Sequence, residues 1–522
     1  MLKKRKIRKI SPITIFLLLI LGTILLSALM SGLGKIKINN TYPFSFLSQG
    51  TYSTINSVTG ELENQFIEVE SLLTRTGLQY IISNIVTNFI SFSPLSMLLI
   101  SLIGFSVAEK SGLIKTISAM FSPKTPNYVY TFIIVLLGII TTFCSDIGYV
   151  IIIPLGAILF SLNKRNPMGG IIAAFAGTAG GVGINLLLGT MDMNLTTYTT
   201  SAAKILDSKY NIALYGNYFF VAVATILITI IATVVTEKMI MTRLSNKLEE
   251  TDELFIIEKK EKRGLFLSGI STIILVVLFI YCIIPGLPFS GLLLDLSVNG
   301  YTNQLFGSNS YFQQGLVSIV SIIMFVAGLC YGIGAKTIDS DKTITNFICS
   351  AFNKIGYLIV LIFFASQFIA IFKKTNIGVI VNIWMLDILK ATSISGLPLI
   401  LLFFIFTMVG NIFLPSPALK WSIMAPAIVP LFMQANMTPE FAQIVYRTAI
   451  STTNLLTPLL AYYVIYLGYL QIYNRKDETI TISESFRYLR PYWMIFAVTF
   501  LILIIIWYII GAPIAPGVYP TL

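Results

Sequence analysis

The sequence predicts an all-α polytopic membrane protein, with about nine transmembrane helices plus two re-entrant hairpins arranged as inverted repeats. Three observations carry that expectation. Of 522 residues, 56% are hydrophobic and 11% charged, against about 25% charged in a soluble domain, so the charge that would cover a water-facing surface is missing. The apolar residues fall in runs of about 20, the length that crosses a bilayer as a helix. Two segments in opposite halves of the chain share a spacing of prolines and an Asn-Leu-Leu triplet.

The first span is the apolar run at residues 13–33. Lys3, Lys4, Arg5, Lys6, Arg8 and Lys9 stand directly before it, which is the positive-inside signature and places the N-terminus in the cytoplasm. The net charge of +12 therefore marks orientation, and no nucleic-acid partner is expected. Residues 34–77 are polar and poor in Lys and Arg, as an outside segment should be. Residues 78–107 return inward as a helix broken at Ser93-Pro94, and Lys110, Lys115 and Lys124 mark the cytoplasmic side.

Residues 128–162 are apolar but interrupted by Phe143-Cys144-Ser145-Asp146-Ile147-Gly148, with Lys124 before and Lys164-Arg165 after. With both ends basic, the chain enters and leaves on one side, giving a first hairpin over about 126–164 with its tip at Ser145-Asp146. Irregular backbone at that depth is tolerated only inside protein or beside a water-filled cavity, so the tip is a candidate site. Residues 167–198 follow as a broken span, because the glycines among residues 176–185 each cost about 1 kcal/mol relative to Ala in a helix interior.

The plainer spans lie at about 214–236, 264–285, 313–335, 355–372 and 492–511. Charged cytoplasmic loops occupy 237–263 and the stretch holding Arg475, Lys476, Arg487 and Arg490. A second hairpin over about 398–434 and a second broken span at 439–471 complete the count. The chain then divides into 1–77, a first repeat half at 78–236, connecting spans at 264–354, a second half at 355–511 and an outside tail at 512–522.

The repeat rests on particular residues. Pro154 and Pro167 are 13 apart, as are Pro426 and Pro439. The broken spans carry Asn185-Leu-Leu-Leu-Gly189 and Asn454-Leu-Leu-Thr-Pro458, although Pro167 precedes its Asn by 18 residues and Pro439 by 15. Counted from a cytoplasmic N-terminus, the first hairpin opens from inside and the second from outside. Inverted repeats with broken helices meeting at mid-membrane are the architecture of secondary transporters.

Ionisable groups at membrane depth are costly and presumptively functional. Asp146 lies at the first hairpin tip, Asp192 just past the Asn185 break, and Arg447 inside the second broken span near Lys420 and Trp421. Arg offers a planar two-pronged donor for a carboxylate, Trp421 a flat face for an aromatic ring. Asn185, Asn454, Asp146 and Asp192 are candidates for handling a coupling cation, Na⁺ or H⁺. Lys420 carries a plainer reading, a side chain snorkelling to the interface, and Trp421 that of an interfacial belt residue. There is no His in the chain, which removes a His metal site or proton relay. Cys144, Cys282, Cys330 and Cys349 show no CxxC spacing and read as small core residues. No cofactor is expected and no resident metal beyond Na⁺. An intramembrane aspartyl protease using Asp146 and Asp192 lacks the Tyr-Asp and Gly-x-Gly-Asp pairs, no HExxH is present, and Gly332-Ile-Gly334-Ala-Lys336-Thr337 misses the phosphate-loop spacing. A transporter is expected, not an enzyme.

From about Leu78 to Tyr463 the chain resembles the AbgT family of p-aminobenzoyl-glutamate transporters. The resemblance is carried by Ser106-Val-Ala-Glu109-Lys-Ser-Gly112-Leu, Ser145-Asp-Ile-Gly-Tyr149, Ala173-Ala-Phe-Ala-Gly177 through Asn185-Leu-Leu, Val235-Thr-Glu237-Lys238, Gln367-Phe-Ile-Ala370 and Lys420-Trp421-Ser-Ile-Met-Ala-Pro426. It implies a bowl-shaped homodimer in the inner membrane of a bacterium, moving p-aminobenzoyl-glutamate or exporting sulfonamide-type antimetabolites on an ion gradient. It also places Asp192, Asn411, Trp421, Pro439 and Arg447 in the substrate pathway. Two positions depart from the pattern: Ile450 stands where the family has Asp three residues after the Arg, and Ala418 where it often has Ser three residues before the Trp. Arg447 thereby loses its local counter-charge and is expected to meet a ligand carboxylate or Asp192. A same-fold transporter of another organic anion, a dicarboxylate or peptide-like solute, is the alternative.

Overall fold

A computed structural model describes residues 10–38, 41–56, 61–120, 125–144, 146–244, 257–307, 309–392, 394–474 and 479–522. The basic cluster at Lys3 to Lys9, and Lys124, Ser145, Arg475 and Lys476, lie outside the described residues, as does the side chain of Cys144.

The apolar runs fold as helices, since in lipid a helix satisfies its peptide groups within itself. The chain opens with α1 (Pro12–Gly34), a strand pair β1 (Gln49–Ile55) and β2 (Leu62–Glu68), then α2 (Arg75–Ser83) and α3 (Ile85–Ile90). A first series follows: α4 (Ser93–Lys110), α5 (Leu113–Ala119), α6 (Asn127–Ile140), α7 (Ile147–Leu162), α8 (Pro167–Gly180), α9 (Thr190–Ala203) and α10 (Tyr218–Val235). Next come α11 (Lys259–Ile283), α12 (Tyr301–Phe306), α13 (Tyr311–Ala335) and α14 (Asp341–Phe352). The last series is α15 (Gly356–Lys374), α16 (Ile377–Ala391), α17 (Leu397–Phe413), α18 (Pro417–Gln434), α19 (Pro439–Thr453), α20 (Tyr463–Ile472) and α21 (Ile482–Ile510).

Among the described residues, seven helices are long and apolar enough to cross a membrane: α1, α4, α10 with its continuation to Ile240, α11, α13, α15 and α21. The first and last series match element for element. In each, a long helix and a short one lead into a helix pair, and the next helix packs against both members: α8 against α6 and α7, α19 against α17 and α18. The second arms then cross to the opposite half, α9 onto α18 and α20 onto α7. Pro167 and Pro439 open α8 and α19, where a missing N–H costs nothing because a first-turn donor has no partner in the helix.

Four features differ from the sequence reading. The polar segment at 34–77 is not loop alone: it forms an antiparallel hairpin pairing Gln49 with Glu68 through Ile55 with Leu62, so the all-α expectation gains a small sheet. This hairpin reaches the helical core, where Thr54 Oγ1 donates to Ser422 Oγ of α18 at 3.3 Å. Helix α16, absent from the expected spans, is apolar and half-buried beneath the same hairpin. Cys349 is exposed on α14 and is no core residue. Arg165, read only as part of the basic end of the first hairpin, is also buried, its Nη2 2.6 Å from Glu237 and its Nη1 2.9 Å from the Asn127 carbonyl.

Small residues let backbones approach closely without the hydrophobic force that drives helix packing in water. Where α7 meets α8, a Cβ on Gly170 would sit 2.0 Å from the Gly156 carbonyl oxygen, and one on Gly156 would sit 2.5 Å from that of Gly170. Backbone cannot move aside as a flexible side chain can. Gly170→Ala is expected to destabilise by about 1–3 kcal/mol through overpacking, read as a lowered unfolding temperature in detergent. Gly22→Ala, on α1 with nothing within 4 Å of the added Cβ, is expected to leave it unchanged or slightly raised.

Candidate functional site where helix breaks and hairpin tips meet

Each broken span leaves peptide groups that must find partners inside the protein. The first break, between α8 and α9, is satisfied by the other half of the chain. Gly183 N donates to Ser451 Oγ at 2.8 Å, and its carbonyl accepts from Arg447 Nε at 2.8 Å. A Cβ at Gly183 would lie 2.0 Å from the Arg447 carbonyl oxygen, so only glycine permits this crossing. Asn185 spends its Nδ2 on the carbonyls of Ile139 and Ile140 at the end of α6, both at 3.1 Å, and its Oδ1 on Leu187 N. Asp192, three residues into α9, accepts from Gly189 N at 2.9 Å through Oδ2.

The other carboxylate oxygen of Asp192 lies 2.6 Å from Arg447 Nη1, and both side chains are buried. Arg447 thus recovers across the two halves the counter-charge that Ile450 does not supply. A buried pair of this kind is net neutral and is costly to break from one side.

The second break has its own support. Asn411, near the end of α17, donates from Nδ2 to Asn454 Oδ1 at 2.7 Å and to Thr453 Oγ1 at 3.1 Å. Thr457 Oγ1 donates to the Ile412 carbonyl at 2.7 Å and accepts from Leu459 N at 3.2 Å. Lys420, in the first turn of α18, reaches Asn411 Oδ1 at 2.8 Å and the Thr407 carbonyl at 3.4 Å, with its ammonium 5.2 Å from the Tyr446 ring centre. It is fully buried, which corrects the snorkelling reading. Trp421 is buried as well, no belt residue: its Nε1 donates to Thr199 Oγ1 of α9 at 2.9 Å, and its ring lies 4.5 Å from that of Tyr446.

At the tip of the first helix pair, Asp146 and Tyr462 line the same cavity, and the Tyr462 hydroxyl donates to Met97 Sδ at 3.0 Å. Tyr462 in turn stacks on Tyr149, ring centres 4.9 Å apart and planes 10° from parallel. A cavity of about 640 Å³ opens between the two tips and the two breaks, lined among others by Asp146, Tyr149, Val182, Pro415, Asn454 and Tyr462. The Tyr149 hydroxyl is buried with no hydrogen-bond partner among the described residues.

The expected residues thus fall into groups. Asp146 and Asn454 border the cavity, and Asn411 and Lys420 stand one and two hydrogen bonds behind Asn454. Asp192 and Arg447 pair with one another, and Trp421 packs between Thr199 and Tyr446. Asn185 closes the first break against α6. Pro439 stands apart from all of these, at the start of α19, eight residues and about 12 Å of helix rise from Arg447. Thr199, Tyr446 and Tyr462 carried no signal in the sequence, and Tyr149 none beyond its place in a family-like stretch, since a hydroxyl in an apolar run declares a role only when its partner from another element is known.

The chain matches the AbgT putative transporter family over residues 8–522. It is 29% identical over 457 residues to the p-aminobenzoyl-glutamate transport protein of Escherichia coli (strain K12), covering 87% of this chain and 88% of that one. Among solved structures it is similar to the Alcanivorax borkumensis YdaH transporter, described as having an unusual topology, at 29% identity and a TM-score of 0.48, covering 97% of this chain and 100% of that chain. Neisseria gonorrhoeae MtrF, described as illuminating a class of antimetabolite efflux pumps, is similar at 30% identity and a TM-score of 0.48, covering 98% of this chain and 97% of that chain. These relatives are transport proteins, not enzymes.

The buried pair makes a prediction that separates charge from packing. Arg447→Met alone strands the Asp192 carboxylate and is expected to cost about 3–5 kcal/mol. Arg447→Met combined with Asp192→Leu removes both charges and is expected to recover a measurable part of that loss. Thermal unfolding of the purified variants in detergent compares them directly.

Proposed function

The chain belongs to the AbgT transporter family, and from that premise we propose that it is an ion-coupled secondary transporter of small aromatic carboxylate solutes. The reading takes p-aminobenzoyl-glutamate uptake or sulfonamide-type antimetabolite efflux as its activity. The observation that carries it is the cavity between the two tips and the two breaks, of a size that suits a small organic molecule and lined by Asp146, Tyr149 and Asn454. Half-helices whose ends converge on one cavity are what alternating access about a fixed site requires.

In this reading the first and last helix series are inverted repeats, each with a re-entrant helix pair and a broken span, and the two broken spans join the seven long helices to make nine crossings. The matching order of elements and the reciprocal packing of α9 on α18 and α20 on α7 support it. The molecule is a homodimer in a bacterial inner membrane, N-terminus inside and C-terminus outside, as family resemblance and basic-residue placement suggest. Asp192, Asn411, Trp421, Pro439 and Arg447 belong to the substrate pathway. Asp146 and Asn454 at the cavity, with Asn185 and Asp192 at the break behind it, handle the coupling cation, Na⁺ or H⁺.

A second reading, transport of a different organic anion such as a dicarboxylate, is favoured by Ile450 and Ala418, apolar residues where the family pattern has Asp and often Ser. Uptake of labelled p-aminobenzoyl-glutamate and of a dicarboxylate panel into proteoliposomes, with Na⁺ and pH gradients imposed separately, decides between them. Arg447→Ala and Asp192→Asn are each expected to reduce transport at least about tenfold, the loss of about 1.4 kcal/mol of stabilisation. Wild-type rates in both would remove these residues from the pathway. Asp146→Asn is expected to lower the response of transport to the imposed ion gradient.

A further inference from the structure

The first turn of α18 buries a lysine that no carboxylate answers among the described residues. Lys420 has zero exposure, and among the described residues its side chain forms no ion pair. Its surroundings bear this out. Helix α17 carries no ionisable residue, and α18 carries none other than Lys420. On α19, Tyr446 presents its ring face, the Arg447 charge is matched by Asp192 of α9, and Glu440, at the helix start, accepts from the Tyr210 hydroxyl; Tyr198 is the other ionisable group of α9. Tyr52 is the ionisable group on β1, and the charges of α16, Asp387 and Lys390, are turned to the exterior.

A buried charge is costly unless paired and hydrogen-bonded. An ammonium has three protons to place, and here it meets two oxygens, Asn411 Oδ1 at 2.8 Å and the Thr407 carbonyl at 3.4 Å. Those same two oxygens satisfy both N–H groups of a neutral amine. The site therefore accommodates either form, with the Tyr446 face supporting the charged one.

The amine is also wired to the cavity. Asn411 accepts from Lys420 through Oδ1 and donates through Nδ2 to Asn454 Oδ1, and Asn454 lines the cavity. A change at Lys420 alters the acceptor load on Asn411 and, through it, the amide that faces the cavity. We propose that Lys420 is a proton-carrying group of this transporter, beside the residues assigned above to the coupling cation: over the transport cycle Nζ takes a proton from water on one side of the membrane and returns it to water on the other. One N–H bond forms and later breaks, and nothing else is exchanged.

This rests on the transporter reading above and is tested so that the two can fail separately. Full-length protein in proteoliposomes, clamped at zero membrane potential without Na⁺, is given labelled p-aminobenzoyl-glutamate and a one-unit ΔpH, which supports about tenfold accumulation for one proton per solute because tenfold corresponds to about 1.4 kcal/mol. Wild type is expected to accumulate the label. Lys420→Gln and Lys420→Met are expected to keep measurable counterflow and to show no ΔpH-driven accumulation. Lys420→Arg, which holds a charge that cannot be released, is expected to lose the ΔpH response too, whereas a merely structural cation would be rescued by it. A second measurement needs no substrate: in weakly buffered detergent, wild type is expected to take up about one more proton per chain than Lys420→Gln over the pH interval in which transport is driven. Equal uptake, accumulation on a Na⁺ gradient alone, or a retained ΔpH response in Lys420→Gln overturns the proposal. An uptake difference without any p-aminobenzoyl-glutamate flux upholds the proton site and overturns the substrate instead.

Discussion

A helix that breaks at membrane depth exposes peptide groups that lipid cannot satisfy, and the arrangement of this molecule's centre answers that demand. At the first break the donors and acceptors are met one by one. Ser451 takes the Gly183 N–H and Arg447 its carbonyl, Asn185 closes the end of α6 and turns back to Leu187, and Asp192 caps Gly189. At the second, Thr457 and Asn411 do comparable work between α17 and the turn after α19. Most of these partners come from a different element, and at the first break Ser451 and Arg447 come from the other half of the chain, so that break depends on the second half. The two halves are locked together by the cost of leaving peptide groups bare.

That constraint changes how Arg447 and Asp192 are understood. A guanidinium in a transporter core invites the idea of a receptor for a substrate carboxylate, yet this one already holds Gly183 through Nε and Asp192 through Nη1. A ligand that engaged it would compete with the groups that hold the first break in place. Binding there is thereby coupled to the geometry of the break, which is how a ligand biases one conformation over another: by interacting differently with each. Among the described residues, polar groups not committed to the first break lie elsewhere, among them the buried Tyr149 hydroxyl and, behind Asn454, the Lys420 amine.

Much of the fold was legible in the sequence because the membrane imposes a simple grammar. Runs of about 20 apolar residues become spans, Pro167 and Pro439 open the two helices that later break, and the glycines around Gly183 mark a close crossing. What stayed hidden depends on partners from distant segments. The hairpin at 49–68 reads as polar loop because its apolar alternation is weak, and its order comes from α16 and α18 beneath it. Lys420 reads as a snorkelling residue because a lysine beside a Trp and a run of apolar residues usually is one. Only the packing of α17 and α19 around it reveals that it is fully buried. The Arg447–Asp192 pair sat between these cases: the lost Asp at position 450 left one charge unanswered, and Asp192 was the nearest acid in the argument though not in the chain.

Under the repeat proposed above, the two halves are alike in element order and divide the chemistry. Counted back from Pro154 and Pro426, the same steps reach Asp146 and Ala418, Gly148 and Lys420, Tyr149 and Trp421. The aromatic position keeps its character, each ring packed against a tyrosine of a broken span, Tyr462 or Tyr446. The ionisable positions do not. The first tip offers an acid and leaves no space one turn position on, where a Cβ at Gly148 would lie 2.2 Å from Thr141 Oγ1. The second offers no acid and fills the equivalent place with an amine. Were the two halves chemically identical as well as alike in fold, the inward and outward arrangements of an inverted-repeat carrier would mirror one another, and an ion would have no means of telling them apart. An acid at one tip and an amine at the other break that degeneracy, so that the charge on either group shifts the balance between the two arrangements.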